Sequence, residues 1–320
     1  MRRLRRTQVM RDAVADVRID PVGLVCPLFV TAGERSVPVA SMPGVEQLPV
    51  EAAVAYIEAM VGRGLHQFML FGVTAESRKD PEGNFAASED APVNRVLNAM
   101  GGRQDVIMIA DLCFCEYTDH GHCGVLHPSM EPWTVDNDAT LPRLAETAVA
   151  QARAGADVVA PSGMMDGQVG AVRVALDAAG FSHVAILAYS VKYASSLYGP
   201  FRDAAEGGMQ FGDRRDYQMD FRRAHEWKEA VARDVAAGAD IVMVKPAVSC
   251  LDIIAGVRRH CSTPVAAYHV SGEYAMLHAA AERGWVDLRS AAVEQTTAIR
   301  RAGADLIVTY FAPQLIDWLS

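Results

Sequence analysis

One short junction occurs three times in this chain: Arg153-Ala-Gly-Ala-Asp157, Ala237-Gly-Ala-Asp240 and Arg301-Ala-Gly-Ala-Asp305. Each closes an amphipathic stretch of helical period and opens a short apolar run. Glycine takes the left-handed conformation that ends a helix, so the junction reads as helix, stop, strand. Strand-like runs recur at 25–30, 68–73, 105–111, 157–162, 184–190, 241–246, 265–270 and 306–311, with helical stretches such as 50–62, 140–154, 220–237 and 287–301 between them. Most of the runs are near-continuously apolar, as parallel strands covered on both faces must be. Eight strands alternating with helices in 320 residues predict an α/β fold, a (β/α)8 TIM barrel over 25–320 with a short N-terminal arm at 1–24. The rival, an open doubly wound sheet, usually carries a glycine-rich phosphate loop after its first strand, and none is present here.

A barrel of this kind gathers its reactive groups at the C-terminal ends of the strands. The predicted ends carry Asp111, Ser162, Lys192, Lys245, Ser271 and Tyr310, so polar groups scattered in chain order converge on one mouth. The lysines matter most. Each follows a buried apolar run, where an ammonium loses hydration, its pKa falls and a neutral amine becomes available to attack a ketone or aldehyde. The plainer reading, a lysine snorkelling its charge to solvent, accounts for one such residue better than for two on successive strands.

After the third strand the chain reads Asp111-Leu-Cys113-Phe-Cys115-Glu-Tyr-Thr-Asp-His120-Gly-His122-Cys123. Three thiols in one loop suit a borderline-soft cation such as zinc. Three protein ligands leave a fourth position open, as catalytic sites do; a closed structural site needs a fourth ligand, which His120 or His122 would supply. Asp111 reads either as a proton-handling group beside this site or as a loop cap. The six cysteines, three of them clustered, fit a metal site in a reducing compartment better than a disulfide framework, so a cytoplasmic location is expected. The formal charge of −9 argues against nucleic acid as the main partner. The arginines at 2, 3, 5 and 6 are not followed by a secretory apolar stretch, and no apolar run is long enough to span a membrane.

Beyond Lys192 lies Tyr193-Ala-Ser-Ser-Leu-Tyr198-Gly-Pro-Phe201-Arg202, then Gly207-Gly208 and Gly212-Asp213-Arg214. A long glycine-containing loop over a barrel mouth reads as a lid, and Arg202 and Arg214 are placed to clamp a carboxylate. Ser271 and Tyr310 offer neutral hydrogen bonds to a second carboxylate.

These segments resemble the zinc-dependent branch of the porphobilinogen synthase (5-aminolevulinate dehydratase) family. The likeness is carried by Ser190-Val-Lys192 through Arg202, Met243-Val-Lys-Pro246, Tyr268-His-Val-Ser-Gly-Glu273, the cysteine loop, Ala160-Pro-Ser162 and Met165-Asp-Gly167, and it runs from about Arg3 to the C-terminus. The resemblance implies condensation of two 5-aminolevulinate molecules to porphobilinogen with loss of two waters, in tetrapyrrole synthesis. It implies Schiff bases at Lys245 and Lys192, and zinc on Cys113, Cys115 and Cys123. It assigns one substrate carboxylate to Arg202, Arg214 and Gln218 and the other to Ser271 and Tyr310, and it brings Ser162, Tyr198 and Phe201 to the substrates. It also implies a homo-octamer in which the N-terminal arm embraces a neighbour.

One position departs from the pattern. Many bacterial members bind an activating magnesium through a glutamate on the helix before the sixth strand; Ala230 stands there, and Glu229 points about 100° away on a helix. Three alternatives use the same residues: a paralogue condensing another amino ketone, a metal-free aldolase, and a catalytically silent barrel serving in assembly. The intact cysteines oppose the second, and the full set of reactive residues opposes the third.

Overall fold

In the computed structural model, which describes residues 2–127, 129 and 134–319, the three repeated junctions share one geometry. Gly155, Gly238 and Gly303 have φ of 109°, 102° and 119°. In each, the next alanine's N–H reaches back to the carbonyl five residues earlier (Gln151, Asp234, Ile299), closing the helix as a Schellman motif. The aspartate that follows grips the preceding strand twice. Asp157 donates its N–H to the Met108 carbonyl and accepts the Met108 N–H at 2.8 Å. Asp240 does the same with Ile186, and Asp305 with Val265. The repeat is therefore a stop signal joined to a clasp at the N-terminal rim of the barrel.

Eight parallel strands close the barrel: β1 (Leu24–Thr31), β2 (Gln67–Val73), β3 (Ile107–Leu112), β4 (Val158–Pro161), β5 (Ala185–Lys192), β6 (Ile241–Lys245), β7 (Val265–His269) and β8 (Leu306–Thr309). Each pairs with the next, and β8 returns to β1 through Ile307 opposite Leu24 and Val308 opposite Val25. This is the (β/α)8 barrel that the alternation predicts. The helices Val50–Val61, Asn137–Ala154, Glu226–Ala236 and Leu288–Ala302 occupy the expected stretches. The third begins at Glu226 rather than 220, because Asp220 binds the backbone N–H of Arg222 and holds a turn there. A short antiparallel pair, Val37–Pro38 with Glu46–Pro49, extends the sheet beside β1. Residues 2–16, which include the helix Gln8–Ala13, are exposed throughout. Met1 and Ser320, the outer ends of the expected arm and barrel, lie outside the described residues.

One irregularity decides where the chemistry sits. Ala188 pairs with Val242, yet Val191 pairs with Val244, so two residues of β5 oppose one of β6. This bulge shifts the register by one, and a one-residue shift exchanges the faces of everything beyond it. It sets Lys192 directly opposite Lys245. Below them an aromatic layer fills the barrel: Phe29, Phe71, Tyr189 and Tyr268 are at most 2 % exposed. Burying each such ring contributes about 1.5–3 kcal/mol.

Candidate active site

The two lysines are buried side by side, each 5 % exposed. The Lys245 Nζ lies 4.2 Å from the centre of the Tyr268 ring, with Tyr198, Phe201 and Tyr189 at 5.1, 5.2 and 5.4 Å. Ring faces attract a cation, but four of them supply no acceptor to replace water. Burial, followed by the positive charge of Lys192, pulls the Lys245 pKa down to about 7. Lys192 is held differently, donating from Nζ to the Ser162 carbonyl at 2.6 Å. The Ser162 hydroxyl in turn donates to Asp111 Oδ2 at 3.2 Å. Asp111 is pushed up to about 7 by burial and then by the neighbouring Glu116 carboxylate, so it can hold a proton near neutral pH.

Beside them, Cys113, Cys115 and Cys123 place their sulfurs within 4.8 Å of one another, all buried. The Cys113 and Cys115 sulfurs are 3.4 Å apart. Hydrogen bonds from Cys113 and Cys115, together with the Arg214 guanidinium, hold the Cys123 thiol well below its ordinary range. Three converging sulfurs with a thiolate among them fit a borderline-soft metal ion. Both ring nitrogens of each nearby histidine are engaged elsewhere: His120 with the Pro81 carbonyl and the His122 N–H, His122 with Tyr217 and the Phe211 carbonyl. Neither histidine is therefore free to join the three sulfurs, whereas the Asp111 and Glu116 carboxylates also converge on Cys113.

The segment after Lys192 covers this site. It forms the short helix Gly199–Ala205 and then crosses the cysteine loop so closely that a Cβ on Gly121 (φ 73°) would stand 2.3 Å from the Gly208 carbonyl oxygen. Arg214, 7 % exposed, ties the two loops by donating to the Gly121 and Gly207 carbonyls. Its Nε, the Arg202 Nε and the Gln218 Nε2 are buried donors without a protein partner. Three unmet donors at one place suit an anion. The space between the lysines is only about 20 Å³, roughly one water molecule. Arg202 and Arg214 also line an outer cavity of about 870 Å³. In this conformation the space beside the lysines is too small for an organic substrate.

Ser271 and Tyr310 are buried but committed within the protein. The Ser271 hydroxyl accepts the Phe201 N–H at 3.0 Å and donates to the Leu197 carbonyl, whereas the Tyr310 hydroxyl meets that of Tyr268 at 3.1 Å. Tyr198 donates to the Tyr193 carbonyl. Ala230 is buried, and Glu229 is exposed in another direction.

Sequence reading missed Glu116, Tyr189 and Tyr268. Glu116, 2 % exposed, lines the lysine space; its place between Cys115 and Tyr117 was the available signal. Tyr189, three residues before Lys192, belongs to the opposite face of a regular strand, and the bulge that brings both inward leaves no mark in the sequence.

A profile of the family described as Delta-aminolevulinic acid dehydratase matches residues 1–318. The chain is 47 % identical over 321 residues to the delta-aminolevulinic acid dehydratase of Synechococcus elongatus, covering all of this chain and 98 % of the relative. To that of Mycobacterium leprae it is 49 % identical over 327 residues, covering 100 % and 97 %. The crystal structure of the Toxoplasma gondii enzyme in complex with the reaction product porphobilinogen superimposes with a TM-score of 0.96 at 40 % identity, covering 99 % of this chain and 90 % of that one. By sequence along its whole length and by fold, the chain belongs to the delta-aminolevulinic acid dehydratase family.

Proposed function

We propose that the protein condenses two molecules of 5-aminolevulinate to porphobilinogen with release of two waters. The observation that carries this reading is the pair of buried lysines facing each other across β5 and β6, one with its pKa drawn down to about 7. The neutral Lys245 amine attacks the ketone carbon of one substrate; the carbonyl oxygen takes up protons and leaves as water, giving an imine. Lys192 forms the corresponding imine with the second substrate. Asp111, hydrogen-bonded through Ser162, exchanges protons with the nearby amines. Arg202, Arg214 and Gln218 hold the carboxylate of the Lys245-bound substrate, which their unpartnered donors support. Ser271 and Tyr310 receive the other carboxylate once substrate displaces their present partners, and Tyr198 and Phe201 wall the Lys245 side. Cys113, Cys115 and Cys123 would hold zinc, which as a Lewis acid would keep a substrate amino group deprotonated. Incubating the purified protein with 5-aminolevulinate should yield a pyrrole that colours with Ehrlich's reagent. No colour from metal-replete protein overturns the reading, and colour only from another amino ketone favours the paralogue.

Residues 1–24 are read as an arm for subunit contacts in a homo-octamer. Their exposed Leu4, Val9, Met10 and Val14 are apolar surface that a neighbour would cover. Among the described residues no helix is long and apolar enough to cross a membrane. The activating magnesium of related bacterial enzymes does not fit this chain at Ala230, since a methyl group offers no oxygen. Magnesium added to zinc-replete enzyme should therefore raise the rate less than about twofold and leave particle size unchanged. Saturable activation with growth of the particle would show that another residue has taken over. Ala230→Glu should introduce magnesium dependence.

A further inference from the structure

The ladder between β6 and β7 ends too early to hold Lys245. Its last pair is Val244 with Ala267, so Lys245 is paired only on the β5 side, where it faces Lys192 and its carbonyl accepts the Tyr193 N–H at 3.0 Å. The β7 side matters as much, because Tyr268 on β7 supplies the ring nearest to the Lys245 amine. Past the end of the ladder one side chain bridges the gap. Glu273, 2 % exposed in the first turn of the helix Ser271–Glu282, accepts the Val248 N–H through Oε1 and the Val270 N–H through Oε2, both at 2.8 Å. Val248 stands three residues after Lys245, and Val270 directly follows β7. The same helix begins at Ser271, which binds the backbone of the lid at Leu197 and Phe201.

We propose that Glu273 is a positioning residue for Lys245: its carboxylate ties the chain leaving β6 to the chain leaving β7 and so fixes the amine against the Tyr268 ring. Both oxygens are needed, since one serves the chain leaving β6 and the other the chain leaving β7. Burial pushes the Glu273 pKa up to about 7, and the Val270 and Val248 N–H groups work against that burial by stabilising the carboxylate that accepts both bonds. The inference rests on the proposed imine at Lys245, and the consequence is selective. The Lys192 amine is anchored instead by the Ser162 carbonyl, so it does not depend on the Glu273 bridge.

The test is borohydride reduction in the presence of 5-aminolevulinate, with substrate mass measured separately on the peptides containing Lys192 and Lys245. In Glu273→Gln, an amide hydrogen faces one of the two N–H groups and a bridge bond is lost. The rate of trapping at Lys245 should fall at least about tenfold, while Lys192 changes less than about twofold. Glu273→Asp keeps the charge but is one methylene shorter, so it cannot span both strands and should show the same selective loss. Unchanged trapping at Lys245, or a parallel fall at both lysines in the two variants, overturns the positioning role. Absence of trapping at Lys245 in the unaltered protein overturns the proposed imine instead.

Discussion

Lys245→Ala should reduce turnover at least about a thousandfold, because the nucleophile that splits the condensation into easier steps is gone. Alanine also leaves a cavity among four aromatic rings, so Lys245→Met is the cleaner variant: it fills the volume and removes only the amine. Its melting temperature should match or exceed that of the unaltered protein, since an ammonium in this position is poorly solvated. The pH dependence follows from the same burial. The Lys245 pKa is drawn down to about 7, first by burial and then by the Lys192 charge, so the reactive neutral fraction grows as pH rises through that value. The rate of Lys245 imine formation should climb between about pH 6 and 8. Lys192→Met removes the neighbouring positive charge, raises the Lys245 pKa and should move that limb to higher pH. Substantial turnover by Lys245→Met, or a flat trapping profile across this range, would sink the assignment.

The architecture was legible because its signals are local. Gly155, Gly238 and Gly303 end helices by a backbone conformation that glycine favours, and the aspartates two residues on announce strands. Continuous apolar runs then need cover on both faces, which leaves few folds. The lysines were legible for the same reason: each ends such a run. What stayed hidden depends on direction rather than position. His120 and His122 stand in a metal-like loop, and only the folded backbone shows their ring nitrogens bound to Pro81, Phe211 and Tyr217. Ser271 and Tyr310 come to the expected end of the barrel, but their hydroxyls serve the lid backbone and Tyr268. The β5 bulge, which sets Lys192 against Lys245 and turns Tyr189 inward, arises from pairing with a strand some fifty residues away, and no local pattern encodes it.

Removing the metal should be the other large effect. Chelation of the purified protein is expected to lower activity at least about a hundredfold, the loss that follows when several kcal/mol of charge stabilisation disappears. Zinc should restore it. The donor set makes the test specific: three sulfurs converge, and the neighbouring histidines are engaged with other partners. Cys115→Ala should therefore lower zinc content as well as activity, because two thiols cannot retain the ion as three do. Cobalt gives a readout independent of turnover. Bound to thiolates it should produce a sulfur-to-metal charge-transfer band in the near ultraviolet, which Cys115→Ala should weaken and which zinc should displace. Thiol reactivity should follow the same order, with Cys113, Cys115 and Cys123 protected from alkylation in the metal-bound protein and exposed after chelation, since thiolates are the ligands and the nucleophiles alike. Full activity in protein shown to be free of zinc would place this chain among metal-independent enzymes. It would also leave three buried, converging thiols without a chemical reason to be there.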